Sequence, residues 1–198
     1  MPRNAFWALL FTWTLSPAAA PAEEIAFELD RARTEVRFTL ADVLHTVHGA
    51  FQLRSGTIRY DPATGKAGGN VVVDVASGST GGGARDRKMH KDVLDTPHFP
   101  DAVFTPTSVE GRFTPEGASD LQVHGLFQIH GASHEMIFNA HVETKGDQIS
   151  VKLRSDVPYT QWGIKNPSTL FLRVSDKVQL DIHAIGHRNS HGNAAAVQ

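Results

Sequence analysis

The stretch Leu121 to Val142, LQVHGLFQIHGASHEMIFNAHV, is two alternating runs hinged on one tight turn. Leu121, Val123, Gly125, Phe127 and Ile129 share one parity; Gln122, His124, Gln128 and His130 share the other, with Leu126 the exception. Past His130-Gly131-Ala132-Ser133 the alternation resumes as Met136, Phe138, Ala140 and Val142. Successive side chains of a strand point to opposite faces, so a period of two over this length predicts two strands, each with one apolar and one wet face. Gly131 supplies the positive φ that a short hairpin loop needs.

The same pattern recurs outward from this hairpin. Val36, Phe38 and Leu40 alternate with Glu35, Arg37 and Thr39; Phe51 and Leu53 with Gln52 and Arg54. Val71, Val73 and Val75 form another run. Ile149, Val151 and Leu153 alternate with Ser150, Lys152 and Arg154, and Val178, Leu180, Ile182 and Ala184 with Gln179, Asp181 and His183. Turn formers punctuate them at Asp61 to Gly65, Pro115 to Gly117 and Lys145 to Asp147. Consecutive strands on short turns imply an antiparallel meander. About eight strands with one uniformly apolar face close into a barrel, which also removes exposed sheet edges. The fold class is therefore all-β, a single antiparallel barrel. Two segments break the pattern. Gly81 to Gly83 open a loop, after which Met89, Val93 and Leu94 are spaced like one face of a short helix near residues 85–95, ended by Pro97 and Pro100. Asp156 to Ser168 is rich in turn formers and contains Trp162.

The first 22 residues read as a secretory signal peptide: Arg3, an apolar core from Ala5 to Leu15, and small residues at Ala20 and Ala22 before the cut. The apolar core is shorter than the roughly 20 residues of a membrane-spanning helix. Cleavage removes Arg3 alone among charged residues, so 19 basic residues become 18 against 21 acidic, a formal net of −3. The expected organisation is a leader at 1–22, one barrel domain at 23–186 and a flexible polar tail at 187–198, in a protein that is periplasmic or secreted. Near-neutral charge argues against a nucleic-acid partner, which calls for a basic face. With no cysteine, the chain has neither disulfides nor thiol chemistry.

A barrel of this size is either filled by its own side chains or holds one small ligand. From periodicity alone both stay open. A lipid chain of about 15–20 carbons at roughly 0.8 kcal/mol per methylene gives on the order of 10 kcal/mol gross, so an apolar lumen suffices to bind one. Such a site leaves almost no motif. The chain has no G-x-S-x-G elbow, no G-x-G-x-x-G and no phosphate loop.

Phe127 to Phe138, FQIHGASHEMIF, resembles the strand-turn-strand hallmark of the YceI-like family. Arg85-Asp86-Arg87-Lys88-Met89-His90 with Asp92, Asp95, Phe99-Pro100 and Phe104 resembles its R-D-x-H-L, D-x-x-D, P-x-x-x-F stretch, and Ser77 to Thr80 precede it where the family has a serine- and threonine-rich run. Val36-Arg37-Phe38, Gly49-Ala50-Phe51 and Val174 to Val178 fit as well, so the likeness covers roughly residues 25–185. It implies a lipocalin-like barrel, exported, that binds a polyisoprenoid or similar amphiphile, without a common catalytic mechanism. Three places depart from the pattern: Val93-Leu94 stand where two phenylalanines are frequent, His134-Glu135 where arginine-proline follows the turn, and Tyr159 to Gly163 where R-x-D-F-G is common.

The histidines invite a metal. His183, His187 and His191 would share a face on a helix, but His183 ends a strand pattern and the rest lies in the tail. His130 and His134 flank the hairpin turn, where turn hydrogen bonding is the plain reading; His45 and His48 bracket a bend. His90 is either solvated or capping in the helical segment, or lines the mouth, and His124 and His141 face water by parity. Asp86, Asp92 and Asp95 with Arg85 and Arg87 form either a solvated helix face or a set of contacts pinning the loop over the barrel.

The expectation is thus a lipid-binding protein rather than an enzyme, with no metal and no cofactor. Val36, Phe38, Leu40, Phe51, Leu53, Phe127, Ile129, Met136, Phe138 and Phe171 are the lumen candidates, with Trp162 and Met89 near the mouth. The partner is a polyisoprenoid or fatty-acyl lipid; transient membrane contact and a homodimer are compatible with that role. The rivals are a barrel-type enzyme acting on a small apolar substrate and an envelope interaction protein with a filled core.

Overall fold

Strand periodicity translates directly into the architecture. The computed structural model describes residues 24–41, 46–168 and 173–189. The strands are β1 (Ile25–Leu29), β2 (Glu35–Ala41), β3 (Thr46–Tyr60), β4 (Ala67–Ser79), β5 (Asp101–Glu110), β6 (Gly117–Ile129), β7 (Ala132–Lys145), β8 (Gln148–Val157) and β9 (Val178–Asn189). From β2 to β9 each strand pairs antiparallel with the next, and β9 returns to β2, closing an eight-stave barrel.

The short β1 adds no stave. It lies antiparallel between β3 and β9, through Phe27↔Ile58 and Phe27↔Arg188, below β2, which sits between the same two strands through Val36↔Phe51 and Val36↔Ile182. The two share one stave, interrupted at Asp30 to Thr34. There the Asp30 carboxylate accepts from the amides of Ala32 (2.9 Å) and Arg33 (3.2 Å), a local bond that competes with the ladder.

The parity read from Leu121 to Val142 holds. Leu121, Phe127, Met136, Phe138, Ala140 and Val142 are buried while Gln122, Gln128 and Asn139 are exposed. The turn is tighter than its four-residue reading. Ile129 pairs with Ala132, leaving His130 (φ 51) and Gly131 (φ 79) as a two-residue loop with positive φ at both positions, the type I′ geometry whose twist suits a hairpin.

Other differences have physical causes. β5 escapes the alternation rule because it contains Pro106, which lacks a donor; the strand tolerates it at a register shift between Pro106 and Ser108. β9 runs past Gly186 to Asn189, because His187, Arg188 and Asn189 pair with β1, so the strand takes in the first three residues of the expected tail. On that strand His183 and His187 are about 13 Å apart at ~3.3 Å per residue, not neighbours on a helix. The leader, His45, Phe171 and His191 lie outside the described residues.

One end of the barrel carries the β6–β7 hairpin, the connection from β4 to β5 and the long segment from β8 to β9; this is the mouth. The opposite end is plugged by aromatic side chains: Phe113 packs edge-on against Phe27 (6.1 Å) and Tyr60 (6.0 Å). Between β7 and β8 the ladder stops at Ala140↔Leu153. Toward the mouth, β7 continues to Ala132 and β8 to Val157 without a shared ladder. Side chains from the following segment fill that seam. Tyr159 and Ile164 are buried with Phe127, Met136, Phe138 and Val157, and Trp162 packs on them.

Candidate functional site

Closing the inward faces leaves a cavity of about 600 Å³. Val36, Phe38, Leu40, Phe51, Phe127, Ile129 and Phe138 line it, as does Met89 of the helical segment. Leu53 and Met136 point inward but are packed away, Leu53 against Leu29 and Ala184, Met136 in the cluster with Phe127 and Phe138; neither is among the lining residues. Trp162 also lies outside the lining: its indole stacks on the His134 ring at 4.1 Å and 5° and contacts Phe127 at 5.9 Å. Phe171 is outside the described residues.

Much of the wall comes from strand runs not singled out as lumen candidates. Val71, Val73, Val75, Val123, Val151, Leu180 and Ile182 line the cavity alongside Phe104. Their parity was the available signal for all but Phe104. Phe104 packs edge-on to Phe138 at 4.8 Å. It belongs to β5, the strand hidden by Pro106.

The helix α1 (Gly83–Lys88) and the π-helical turn Met89–Val93 form part of the mouth. They are moored to β4 by polar contacts. The His90 ring donates from Nε2 to the Gly78 carbonyl (2.8 Å), so His90 clasps rather than solvates. Asp86 accepts from the Thr80 amide (2.9 Å), the Ser79 hydroxyl (3.2 Å) and the Thr80 hydroxyl. These bonds realise the pinning alternative for Asp86, whereas Asp95 bonds to the neighbouring His98 at 2.8 Å. The Thr80 hydroxyl bond is the main reason that the Asp86 carboxyl sits below its ordinary 3.8. A lowered folded-state value means that the clasp is fully present above pH 3.8 and weakens as pH falls through the lower folded value. Asp86→Asn is therefore expected to speed amide exchange in residues 80–93 at neutral pH, whereas the native protein should lose that protection only below about pH 4.

The histidines of the hairpin make aromatic contacts instead of the expected turn hydrogen bonds. His130 packs on Phe99 at 4.6 Å, and His134 on Trp162. His141 faces water and meets Asp120 at 2.8 Å; His124 is 28% exposed and lies 3.3 Å from Glu110, so water is not its main neighbour. Among the described residues no group of three histidine or acidic side chains is placed to hold a metal. Among the described lining residues Tyr159, whose hydroxyl donates to the Ser175 carbonyl at 2.6 Å, is the one acid–base side chain apart from two cations, Arg85 and Lys88. Burial pushes the Tyr159 phenol up, and Asp176 adds to it. An open groove of about 950 Å³ on the outer face is lined by charged residues of both signs, including Arg154 and Asp181, paired at 2.6 Å; it lacks the enclosure of the lumen.

The YceI-like domain matches residues 27–185, the whole barrel from β1 into β9. The chain belongs to the YceI-like family. It is 30% identical over 149 residues to a UPF0312 protein of Shewanella baltica, covering 74% of this chain and 76% of that one. Among solved structures it resembles BcnA of Burkholderia cenocepacia, with a TM-score of 0.66 and 19% identity over 79% of this chain and 98% of that one. It also resembles a polyisoprenoid-binding domain from Saccharophagus degradans implicated in plant cell wall breakdown, with a TM-score of 0.67 and 15% identity over 83% and 99% of the two chains. In this YceI-like barrel the three departures from the family pattern all fall at the mouth. Val93 and Leu94 line the cavity, His134 holds Trp162, and Tyr159 forms wall.

Proposed function

We propose that this YceI-like protein is exported and holds a polyisoprenoid or other long-chain amphiphile in its barrel lumen, for carriage or sequestration in the cell envelope. The observation that carries the reading is the cavity: about 600 Å³, walled almost entirely by aliphatic and aromatic side chains, plugged at one end and reaching the surface at the other through the exposed Arg85 and Lys88. At the ~30 Å³ that a water-sized group occupies in a liquid, this volume takes about 20 chain carbons. Burying them stabilises the complex by on the order of 10 kcal/mol gross, before the cost of ordering the chain. The likeness to a polyisoprenoid-binding domain supports the same ligand class, and the leader-like residues 1–22 support export.

Native mass spectrometry of protein isolated from the periplasm without detergent tests both parts. The expected species is a chain beginning near Glu23 with a co-purified lipid. An apo mass, together with no uptake of isoprenoid quinones or fatty acyl chains, would refute the lumen reading. A full-length chain confined to the cytoplasm would refute export.

A further inference from the structure

Among its described residues, the lumen wall carries charge at one place only. Among the described lining residues the ionised side chains are Arg85 and Lys88; no aspartate or glutamate joins them. Both sit on α1 at the mouth, where the apolar wall meets solvent. Neither makes an ion pair with a described residue. The neighbouring Asp86 spends its oxygens on Thr80 and Ser79. Thr80 also orients Arg85: the guanidinium donates from Nε to the Thr80 hydroxyl (2.6 Å) and from Nη2 to its carbonyl (2.9 Å), which leaves Nη1 without a described partner. Lys88 Nζ has one long contact, 3.4 Å to the Pro167 carbonyl on the facing segment.

A greasy tunnel that ends in two cations is complementary to a chain that ends in an anion. An amphiphile whose tail fills the lumen leaves its head at the mouth. There a guanidinium fixed on one side offers its remaining donors to an oxyanion, and a lysine supplies a mobile point charge. We propose that Arg85 and Lys88 bind an anionic head group, phosphate or carboxylate, so that the protein selects acidic amphiphiles over neutral ones with the same tail. This rests on the lumen reading above.

Chain-matched ligands separate the two ideas. Isothermal titration would compare geranylgeranyl monophosphate with geranylgeraniol, and palmitate with hexadecanol. The native protein is expected to favour an acidic member about tenfold, an advantage that shrinks as salt is raised. The pair that shows the preference identifies phosphate or carboxylate as the head. In the Arg85→Gln/Lys88→Gln variant the ratio should fall toward one. Because Arg85 also holds Thr80, Lys88→Gln alone is the second variant, expected to reduce the ratio several-fold. Equal affinity for acid and alcohol in both pairs overturns the head-group site and leaves the lumen reading standing. An undiminished ratio in the variants likewise overturns it. Failure of all four ligands overturns the lumen reading itself.

Discussion

Replacing Phe138 with aspartate is expected to unfold the barrel or to lower its melting temperature by tens of degrees. Phe138 is 5% exposed, lines the lumen and packs edge-on against Phe104 at 4.8 Å. Losing the ring costs about 3–5 kcal/mol. The carboxylate then sits among the apolar side chains of the lumen wall, which adds several kcal/mol or forces it to take up a proton. A domain of this size has about 5–15 kcal/mol to lose. Gln128→Asp is the matched control, since Gln128 lies on the outward parity of the same hairpin and is exposed; its effect should stay within about 0.5 kcal/mol. His124 shares that parity but is a poorer control, because an acid there would face Glu110. Equal losses from Phe138→Asp and Gln128→Asp in a thermal melt would contradict the assignment of faces.

Gly125→Val is expected to be nearly as damaging for the opposite reason. Gly125 is buried on the inward face, and a Cβ there would lie 2.5 Å from the Thr105 carbonyl oxygen and 2.6 Å from Cζ of Phe104. The carbonyl belongs to the paired strand β5, held by Thr105↔Leu126 and Pro106↔Gly125, so it cannot retreat without breaking the ladder. The alternative is to drive the Phe104 ring into the lumen. Overpacking of this kind costs about 3 kcal/mol. A urea midpoint lowered accordingly, with diminished lipid uptake in whatever remains folded, is the expected result. An unchanged midpoint would mean that β5 and β6 do not approach as closely as described.

These two residues show what the chain discloses about itself. Alternation around Phe138 and Gly125 identifies strands and the apolar face, because side-chain direction on a strand is a local property. It identifies staves poorly where a backbone exception intervenes, as at Pro106, or where a strand is as short as β1. Whether an inward side chain lines a space or fills it is a property of the closed wall: Phe127 and Met136 lie on one face of the hairpin, yet only Phe127 reaches the cavity. The seam between β7 and β8 is filled by side chains of the segment that follows β8, while His134 lies at the start of β7, so the Trp162–His134 stack had no signature in either residue's neighbourhood. The family motifs were legible because each is short and local. The role of Arg85 and Lys88 was not, because it comes from the apolar wall around them.

The seam between β7 and β8 also bears on how the protein behaves at high concentration. A fully closed barrel offers no strand edge to a neighbouring molecule, but here the upper edge of β7 is shielded by packing instead of by a hydrogen-bonded partner strand. The outer face beside it carries Leu126 (42% exposed) and Ile137 (52% exposed), the large apolar side chains left open among the described residues. Any loosening of Trp162 from His134 therefore uncovers backbone donors and acceptors next to an adhesive patch. Colloidal stability, meaning the resistance of the folded protein to intermolecular β-pairing, then depends on how firmly Tyr159, Trp162 and Ile164 stay packed in that seam.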